Sequence, residues 1–526
     1  MKKIYIFLIF SFFSFFIFSK DLSLREAIEI VLQNNLQIKI EKLNLNSFEN
    51  NIKASRGIFD PILSSDLQSS STKYPSTWQL QGADIYESKR RSFNLSLNQY
   101  LPTGGTILVD WTNSRSETNS QFYFLNPSYN SGFTLTISQP LLKNFGFEIA
   151  KKNEIKAIYN FNSNLSTFTN NVEKKVKEVE EAYWDLYYYY NDLKVKEEAL
   201  LLAKEFLSIT QRRIDVGLEA PLNIYSAQVG VATREEAIIQ ARSFYELAQD
   251  RLRQLLHLDK DKWNDEINLT DEPIVEKIDI EENIFELALS KRKEIINLSW
   301  QKQLAEFSLK EAKNNLLPDL NFVASYGYSG VGGTYIIRDT SGNIVEMIPG
   351  GWSDALDQIK NMDYPSWSLA LSFKYPIGNR ALKENLKNVE LSYESLNLQI
   401  EQMKEVIFAE IREAKRNLNS TEKSLEAAKV SKILAEKNLE AERKRYENGL
   451  STNYQLLLVQ KDLSEAKSRE IYAKIAYKKA QINYYYKIGL LLEKNNISIS
   501  LPEFYVQKEK NFPHFFKYGL IKKSNF

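Results

Sequence analysis

The chain has 526 residues with 68 basic and 67 acidic side chains, so its formal net charge is +1 and no basic surplus points to nucleic acid. It contains no cysteine, which excludes disulfides, thiolate zinc sites and a lipidated N-terminal cysteine. Its two histidines, His257 and His514, stand apart from other metal-ligating residues, so we predict no metal and no cofactor.

Residues 1–20 have the pattern of a secretory signal peptide. Lys2 and Lys3 precede an apolar run from Ile4 to Phe18, and Ser19 follows it. A membrane anchor is the alternative, but this run is shorter than the ~20 residues that a bilayer helix needs. Charges interrupt every later apolar stretch, and the mean hydropathy is -0.39. We therefore expect export, and a membrane crossing by strands if there is one.

The first half of the chain alternates helix and strand patterns. A helix is predicted from Ser23 to Arg56, and Pro61 then opens strand-like sequence. A long helix ends at Gly217, where glycine supplies the left-handed position of a helix end, and a returning helix runs from Tyr225 to Leu256. Before the long helix, two segments alternate apolar and polar residues as strands do: 93–98 and 133–138.

The second half repeats this order. Helices are predicted over Ile284–Asn315 and Tyr454–Leu492, and a long helix between them ends at Gly449. From Leu382 to Ile407 its apolar residues recur in alternating steps of four and three, which is a heptad seam. No glycine or proline interrupts 382–446, so this helix is on the order of 100 Å long. Its strand patterns are 320–328 and 367–375.

Three pairs of matching segments indicate an internal duplication. RIDVGLEA, which begins at Arg213, recurs 232 positions later as RYENGLST at Arg445. ASRGIFDPIL at Ala54 matches AKNNLLPDL at Ala312, and Gln139-Pro-Leu matches Tyr375-Pro-Ile. Two unrelated segments of similar composition are the alternative, but three matches in the same order favour duplication.

The duplication divides the chain into five predicted segments. The signal peptide at 1–20 is followed by a first repeat at 21–259. A linker at 260–282 leads to a second repeat at 283–493, and a tail at 494–526 ends the chain. The linker and the tail are expected to form an equatorial belt at the helix joints, unless the tail is disordered.

The strand patterns favour a membrane sheet. Apolar side chains lie on one face and Ser, Asn and Thr on the other, which also suits a half-buried soluble sheet. The signal peptide, the small polar residues and the aromatic residues Trp111, Trp367 and Tyr375 at strand ends favour membrane strands with an aromatic girdle around a wet lumen. Four strands leave open edges that lipid does not tolerate, so the chain is expected to form at least a dimer or trimer.

Four sequence features carry a family resemblance: the LSLREAIEIVLQNN segment from Leu22, the prolines Pro61 and Pro318, Gln139-Pro-Leu, and the duplicated Arg-x-x-x-Gly-Leu turn. Their order along the chain resembles that of TolC-like outer-membrane factors over residues 22–492. The resemblance implies an α+β membrane protein with a β-barrel and a long α-helical barrel of coiled-coil hairpins. In such a homotrimer each subunit contributes four strands to a twelve-stranded barrel.

The resemblance also implies a function. It is that of an outer-membrane exit duct in a tripartite efflux or type I secretion system, with the helical barrel in the periplasm. The implied partners are a periplasmic adaptor protein and an inner-membrane pump of the resistance-nodulation-division or ATP-binding-cassette type. Because the pump supplies the energy, the duct is not expected to be an enzyme.

The resemblance places both turns at the periplasmic tip, where the pore closes. The predicted tip residues are Arg213, Asp215, Gly217, Arg445, Glu447 and Gly449. Two gate aspartates of the family's prototype match Gln455 and Leu458 here, a gate tyrosine matches Tyr446 and a gate arginine matches Ser451. We therefore expect a less acidic constriction with weaker cation selectivity, although Asp215, Glu219 and Glu447 could restore part of the charge.

Two other functions are alternatives for an exported, helix-rich chain. A trimeric coiled-coil surface adhesin or scaffold predicts one continuous stalk with strands at one end, whereas here strands interrupt the helices twice. A periplasmic enzyme needs a constellation of nucleophile, base or metal ligands. Two isolated histidines and no cysteine do not provide one.

Overall fold

The computed structural model describes residues 21–77, 82–263, 265–278, 283–340 and 342–499. The predicted signal peptide and residues 500–526 of the predicted tail lie outside this part. The described chain divides into two compact units. We call them the helical unit, with residues 21–45, 165–297 and 400–499, and the sheet unit, with residues 46–164 and 298–399.

Eleven helices occur in the described residues. In chain order they are α1 Leu24–Asn34, α2 Leu36–Ser55, α3 Phe147–Ala150, α4 Lys152–Asp215, α5 Asn223–Leu256, α6 Ile284–Lys291, α7 Lys293–Asn315, α8 Trp352–Lys360, α9 Arg380–Glu447, α10 Asn453–Lys487 and α11 Leu491–Lys494. The two long helices, α4 and α9, have 64 and 68 residues. None of the helices in these residues is both long and apolar enough to cross a membrane.

Each predicted opening helix is in fact two helices. The break falls at Asn35 in one and at Arg292 in the other, where ψ is 122° and 125°. The Asn35 side chain accepts from the Gln37 amide at 3.0 Å and so caps the second helix. Arg292 is held by Glu294 and Glu410 at 2.9 and 2.8 Å. Equivalent breaks in both halves agree with the duplication.

The second predicted returning helix is also shorter than expected. It ends at Lys487 rather than Leu492, and the short α11 follows. Gly489, at φ +77°, ends it in a conformation that side chains rarely adopt.

The core of the helical unit lies around Tyr183, Trp184, Leu252 and Leu256. Two-residue strands β1 (Asp21–Leu22) and β6 (Asn268–Leu269) pair in parallel beside it. The Asp271 carboxylate accepts from the Tyr183 hydroxyl at 3.0 Å and from the Leu24 amide at 2.6 Å. The segment that was expected to be a linker therefore packs against the helices of this unit.

Two buried carboxyl groups on α4 hold the two ends of the short helix α11. Glu173 accepts from the Leu491 amide at 3.2 Å, and Glu180 accepts from the Asn495 side chain. Burial raises the pKa of Glu173 to about 7 and raises the pKa of Glu180. The two residues are seven apart, so they lie on the same face of α4.

The sheet unit contains one antiparallel sheet of seven strands. They are β2 Ile62–Pro75, β3 Ile85–Tyr100, β4 Thr106–Thr118, β5 Leu125–Pro140, β7 Asp319–Arg338, β8 Ile344–Ile348 and β9 Pro365–Lys374. The order is β2-β3-β4-β5-β7, and β8 and β9 both pair with β7 beyond it.

The prediction of four strands per chain was therefore too low, because six long strands and one short one are present. β2 was missed because its apolar face carries Ser65, Ser69 and Ser71 between few apolar residues. β4 was missed because Leu108 interrupts its polar face.

The register separates an apolar face from a polar face. One row across six strands reads Leu63, Leu97, Val109, Leu135, Tyr326, Trp367. The neighbouring row reads Ser64, Ser96, Asp110, Thr134, Gly327, Ser366. Serine pairs bond across the polar face, with Ser64 to Ser96 at 2.8 Å and Ser325 to Ser368 at 2.7 Å. The alternation of faces that the sequence predicts is thus present in β3, β5, β7 and β9.

Helix α8 lies on the apolar face, beside the part of β7 that extends past the first residue of β9. Gly330 and Gly332 allow this approach, because a Cβ on either would collide with the carbonyl oxygens of Ala355 and Gly351. The Gln358 amide accepts from the Val331 N–H at 2.9 Å and donates to its carbonyl at 3.0 Å. The helix thereby satisfies an edge of β7 that β9 leaves open.

Candidate functional site

The two helix turns have the same backbone geometry. Gly217 and Gly449 have φ of +78° and +74°. At the first turn the Leu218 amide donates to the Arg213 carbonyl, and at the second the Leu450 amide donates to the Arg445 carbonyl, both at 2.8 Å. This six-to-one bond is the Schellman end of a helix. A Cβ on either glycine would meet nothing within 4 Å, so the positive φ alone favours glycine here.

A small apolar cluster packs beside the turns. We call it the tip cluster, and its buried members are Phe206, Ala227, Tyr446 and Leu456. The Phe206 and Tyr446 rings meet edge to face with centroids 5.6 Å apart. Because these residues come from α4, α5, α9 and α10, the cluster joins both predicted hairpins.

Tyr446 joins the two turns by polar contacts. Its hydroxyl donates to Glu219 Oε2 at 3.2 Å. The Arg213 guanidinium lies over the Tyr446 ring at 5.2 Å, and Arg213 Nε is 3.5 Å from the Glu219 carboxylate. Burial, together with the negative charge of Glu219, raises the pKa of Tyr446. The phenol is therefore a neutral donor throughout the physiological pH range.

A second polar contact closes the turn after α9. The Ser451 hydroxyl bonds to Glu442, whose carboxylate also pairs with Arg445 at 3.2 Å. The Glu442 side chain is only 5% exposed. No sequence motif marks Glu442, although it lies one helical turn before Tyr446 and so shares its face.

The other predicted residues near the turns do not join these contacts. Gln455 and Leu458 are exposed on α10, one turn apart on the same face. Asp215 accepts from the Gln211 side chain at 2.8 Å, and Glu447 pairs with Arg443 at 3.2 Å on the surface. The structure thus brings together Arg213, Tyr446 and Glu219 but leaves the other two gate candidates apart.

Arg234 on α5 is a further cation that the sequence analysis missed. Its guanidinium donates to the carbonyls of Gly230 and Leu457 at 2.9 and 3.4 Å and so links α5 to α10. Burial lowers its pKa from the ordinary value. This partly buried guanidinium adds positive charge to the tip region.

The three predicted girdle aromatics all lie at the apolar face or its margin. Trp111 is in the middle of β4 rather than at a strand end, because β4 continues to Thr118. Its ring stacks on Trp352 of α8 with centroids 6.1 Å apart. Trp367 is 72% exposed near the start of β9, and Tyr375 follows the last residue of that strand.

Within the residues that the structure describes, no three His, Asp or Glu side chains are grouped to hold a metal ion.

Comparisons with known proteins agree on one family and one fold. The family model of outer membrane efflux proteins matches residues 107–257 and 284–489. CmeC, an outer membrane channel of Campylobacter jejuni, has 14% identity and a TM-score of 0.62 over 93% of this chain and 89% of its own. The Vibrio cholerae outer membrane protein VceC has 14% identity and a TM-score of 0.59 over 89% and 96%.

The open state of the Neisseria gonorrhoeae outer membrane channel MtrE has 15% identity and a TM-score of 0.59 over 89% of each chain. At such low identity these likenesses show a shared fold. Among curated protein sequences, none matches this chain.

Proposed function

Because the chain belongs to the outer membrane efflux protein family and has the TolC-like fold, we propose that three copies form an exit duct in the outer membrane. The duct serves a tripartite efflux or type I secretion system and conducts substrates passively to the exterior. Its helical part lies in the periplasm. The observation that carries the proposal is the pairing of two matched helical hairpins with a sheet that has one apolar and one polar face.

The polar face suits the lumen of such a duct. It is lined by Ser, Thr and Asn side chains, which water can solvate, and two serine pairs bond across the strands. The apolar face suits lipid, because Leu63, Leu369, Leu371 and Phe373 are exposed there by more than 60%.

The gate is proposed at the two turns. The Tyr446 to Glu219 bond and the tip cluster hold the α4–α5 pair against the α9–α10 pair. Opening then requires these helices to untwist, which separates Tyr446 from Glu219. Ser451 holds the second turn through Glu442, whereas Gln455 and Leu458 supply the exposed side chains at the constriction.

Partners would bind at the same turns. Val216, Leu218, Leu450 and Tyr454 are each exposed by about 70% at the two turns. Apolar side chains that cluster at the surface mark interaction sites. We therefore assign this surface to a periplasmic adaptor protein, which would couple the duct to an inner-membrane pump. The pump would supply the energy, and the duct would need no catalytic residue.

The adhesin alternative fits the structure less well. An adhesin stalk is one continuous coiled coil, but here each long helix turns back at a glycine and packs beside its returning helix.

Planar-bilayer conductance of the purified protein tests the proposal. Wild-type protein should form a small, steady pore, and Tyr446→Phe should raise its conductance. If neither protein forms a pore and both appear as long rods, the channel function is wrong and the adhesin is favoured.

A further inference from the structure

Two edge strands of the sheet unit are open. β2 has β3 as its neighbour and β9 has β7, and the described residues place no strand on their other sides. All 14 residues of β2 and all 10 residues of β9 are exposed. A long exposed edge offers unpaired N–H and C=O groups to another strand.

These edges are incompatible with lipid. A backbone group without a partner costs several kcal/mol in the hydrocarbon region, so spanning sheets close on themselves. The apolar face continues to both edges, where Leu67 and Trp367 are exposed by 81% and 72%. The occupant of each edge must therefore be a strand that also carries an apolar and a polar face.

We propose that β2 of each subunit pairs with β9 of the next, so that the trimer closes a barrel of eighteen strands rather than twelve. The proposal rests on the trimer of the proposed function. The six long strands alternate in direction, so β9 runs opposite to β2 and the pairing between subunits is antiparallel. Each subunit supplies one edge of each kind, as a cyclic assembly requires.

The sequence of the two strands favours one register. β2 begins at Ile62, and β9 ends at Lys374, each at the strand end that adjoins a helical segment. Aligning these ends places Ser65 opposite Leu371 and Ser69 opposite Trp367 on the apolar face. The small serines thereby leave room for bulky neighbours, and both strands keep the same face toward lipid.

The larger strand number changes the pore. Barrel diameter grows roughly linearly with strand number, so eighteen strands give a barrel about half again as wide as twelve at equal tilt. Barrels of 16–18 strands enclose an aqueous channel. The sheet unit would then restrict passage less than a twelve-stranded barrel does.

Cysteine pairs test the proposed pairing of β2 with β9 of the next subunit, because the natural chain has no cysteine to interfere. Ser64→Cys on β2 is combined with Ser372→Cys, Ala370→Cys or Ser368→Cys on β9, all on the polar face. Oxidation, or a short bifunctional thiol reagent, should give covalent dimers and trimers. The strongest yield is expected for Ser64→Cys with Ser372→Cys, and the single-cysteine variants should give no trimers.

The number of linked subunits is the decisive result. Covalent products that contain up to three subunits and no more confirm the eighteen-stranded barrel. The proposal is overturned if the largest product has two subunits, if links form only within one chain, or if none of the three combinations forms a link. Wild-type conductance reports separately on the channel function, which could stand even if the strand number is wrong.

A second, independent feature is a pair of arginines on the apolar face. Arg91 of β3 and Arg115 of β4 are directly opposite in the register. Like charges in this position destabilise a sheet unless something compensates them. Lys89 lies two residues beyond Arg91, and Glu117 pairs with Arg115 at 2.9 Å, so the group carries a positive surplus.

A groove of about 610 Å³ joins these cations to aromatic rings. Its lining includes Leu67, Arg91, Phe93, Arg115, Tyr129 and Trp352. Arg115 Nε donates to the Tyr129 hydroxyl at 3.2 Å, which fixes the guanidinium at the groove. The groove is therefore cationic at one end and apolar at the other.

The position along β3 matches the edge of a lipid leaflet. From the C-terminal end of β3 backward, the apolar face carries Leu97, Leu95 and Phe93 and then the cations Arg91 and Lys89, so the charges begin where the apolar residues end. Aromatic residues collect at this level in membrane proteins. Guanidinium groups bind phosphate oxygens by paired hydrogen bonds.

We infer that this groove binds the phosphate of an anionic lipid headgroup, with the acyl chains along the apolar face. The inference rests on the outer-membrane location in the proposed function. The double variant Arg91→Gln/Arg115→Gln should lose the site. Arg90→Gln is the matched control, because Arg90 is adjacent in sequence but lies on the polar face.

Native mass spectrometry of the detergent-purified protein measures the lipid that is retained. Wild type and Arg90→Gln should retain phosphatidylglycerol but not diacylglycerol, and the double variant should retain roughly tenfold less phosphatidylglycerol or lower. Equal retention by all three proteins, or displacement of the lipid by millimolar inorganic phosphate, would overturn the lipid site. Unchanged bilayer conductance in the double variant keeps this result separate from the channel function.

Discussion

The Tyr446 hydroxyl donates to Glu219 at 3.2 Å, and this bond joins the end of the second long helix to the turn after the first. Glu219 and Ser451 occupy equivalent positions of the duplicated segment. Glu219 binds a residue of the other repeat, whereas Ser451 binds Glu442 of its own repeat. The duplication has thus produced one contact between repeats and one contact within a repeat.

The first prediction concerns this bond. Tyr446→Phe removes the donor and Glu219→Ala removes the acceptor of this hydrogen bond to a charged group, which contributes about 1.5–3 kcal/mol. Both variants should raise conductance in planar bilayers, and the double variant should add little to either single one. Tyr454→Phe is the control, because Tyr454 is 72% exposed near the same turn. Full additivity of the two variants would show that the residues act independently.

The second prediction concerns charge at the constriction. Glu219 and Glu442 are held by Arg213 and Arg445, so we expect neither to form an acidic ring in the pore. Gln455→Asp with Leu458→Asp should therefore increase cation selectivity and create block by divalent ions. Reversal potentials in a salt gradient measure the change.

Asp215 and Glu447 provide the opposing test of that prediction. If wild type is already strongly cation selective, and Asp215→Asn with Glu447→Gln abolishes the selectivity, these surface acids compensate and the less acidic gate is wrong.

Much of this architecture could be predicted from local patterns. The heptad spacing and the absence of glycine and proline gave α9 to within two residues, and the glycines gave both turns. Contacts distant in sequence could not be predicted. The pairing of Arg213, Glu219 and Tyr446 depends on how four helices pack, and no spacing along one helix encodes it.

The strand number shows a different limit of local patterns. β2 has serines at positions where a membrane strand normally has apolar residues, so its alternation is weak. Its membership of the sheet follows from 14 backbone pairs with β3, which depend on a partner strand rather than on its own side chains. Helix α8 likewise depends on the glycines of β7, which read as turn signals when they are considered alone.

The third prediction concerns the glycines that end the long helices. Gly449→Ala should destabilise the second turn by about 1 kcal/mol, since φ of +74° is unfavourable for alanine although the site has room for its Cβ. Gly351→Ala is the control, because it also has nothing within 4 Å but has φ of -153°. Thermal unfolding followed by circular dichroism should separate the two variants. Equal midpoints would show that the left-handed position is not required.

The fourth prediction concerns pH and Glu173. Its pKa is raised by burial from 4.5 to about 7, so the folded protein favours the protonated carboxyl group. This stabilisation is fully present below pH 4.5 and is lost as the pH rises through about 7, at a cost of about 3 kcal/mol. Glu173→Gln replaces the carboxyl group with an amide that is neutral at every pH. The variant should therefore raise the unfolding midpoint at pH 8 more than at pH 5. Glu205→Gln, on the exposed face of the same helix, should shift neither midpoint in this way. If Glu173→Gln lowers stability at pH 8, the carboxylate is ionised in the folded protein and its bond to the Leu491 amide is the dominant contribution.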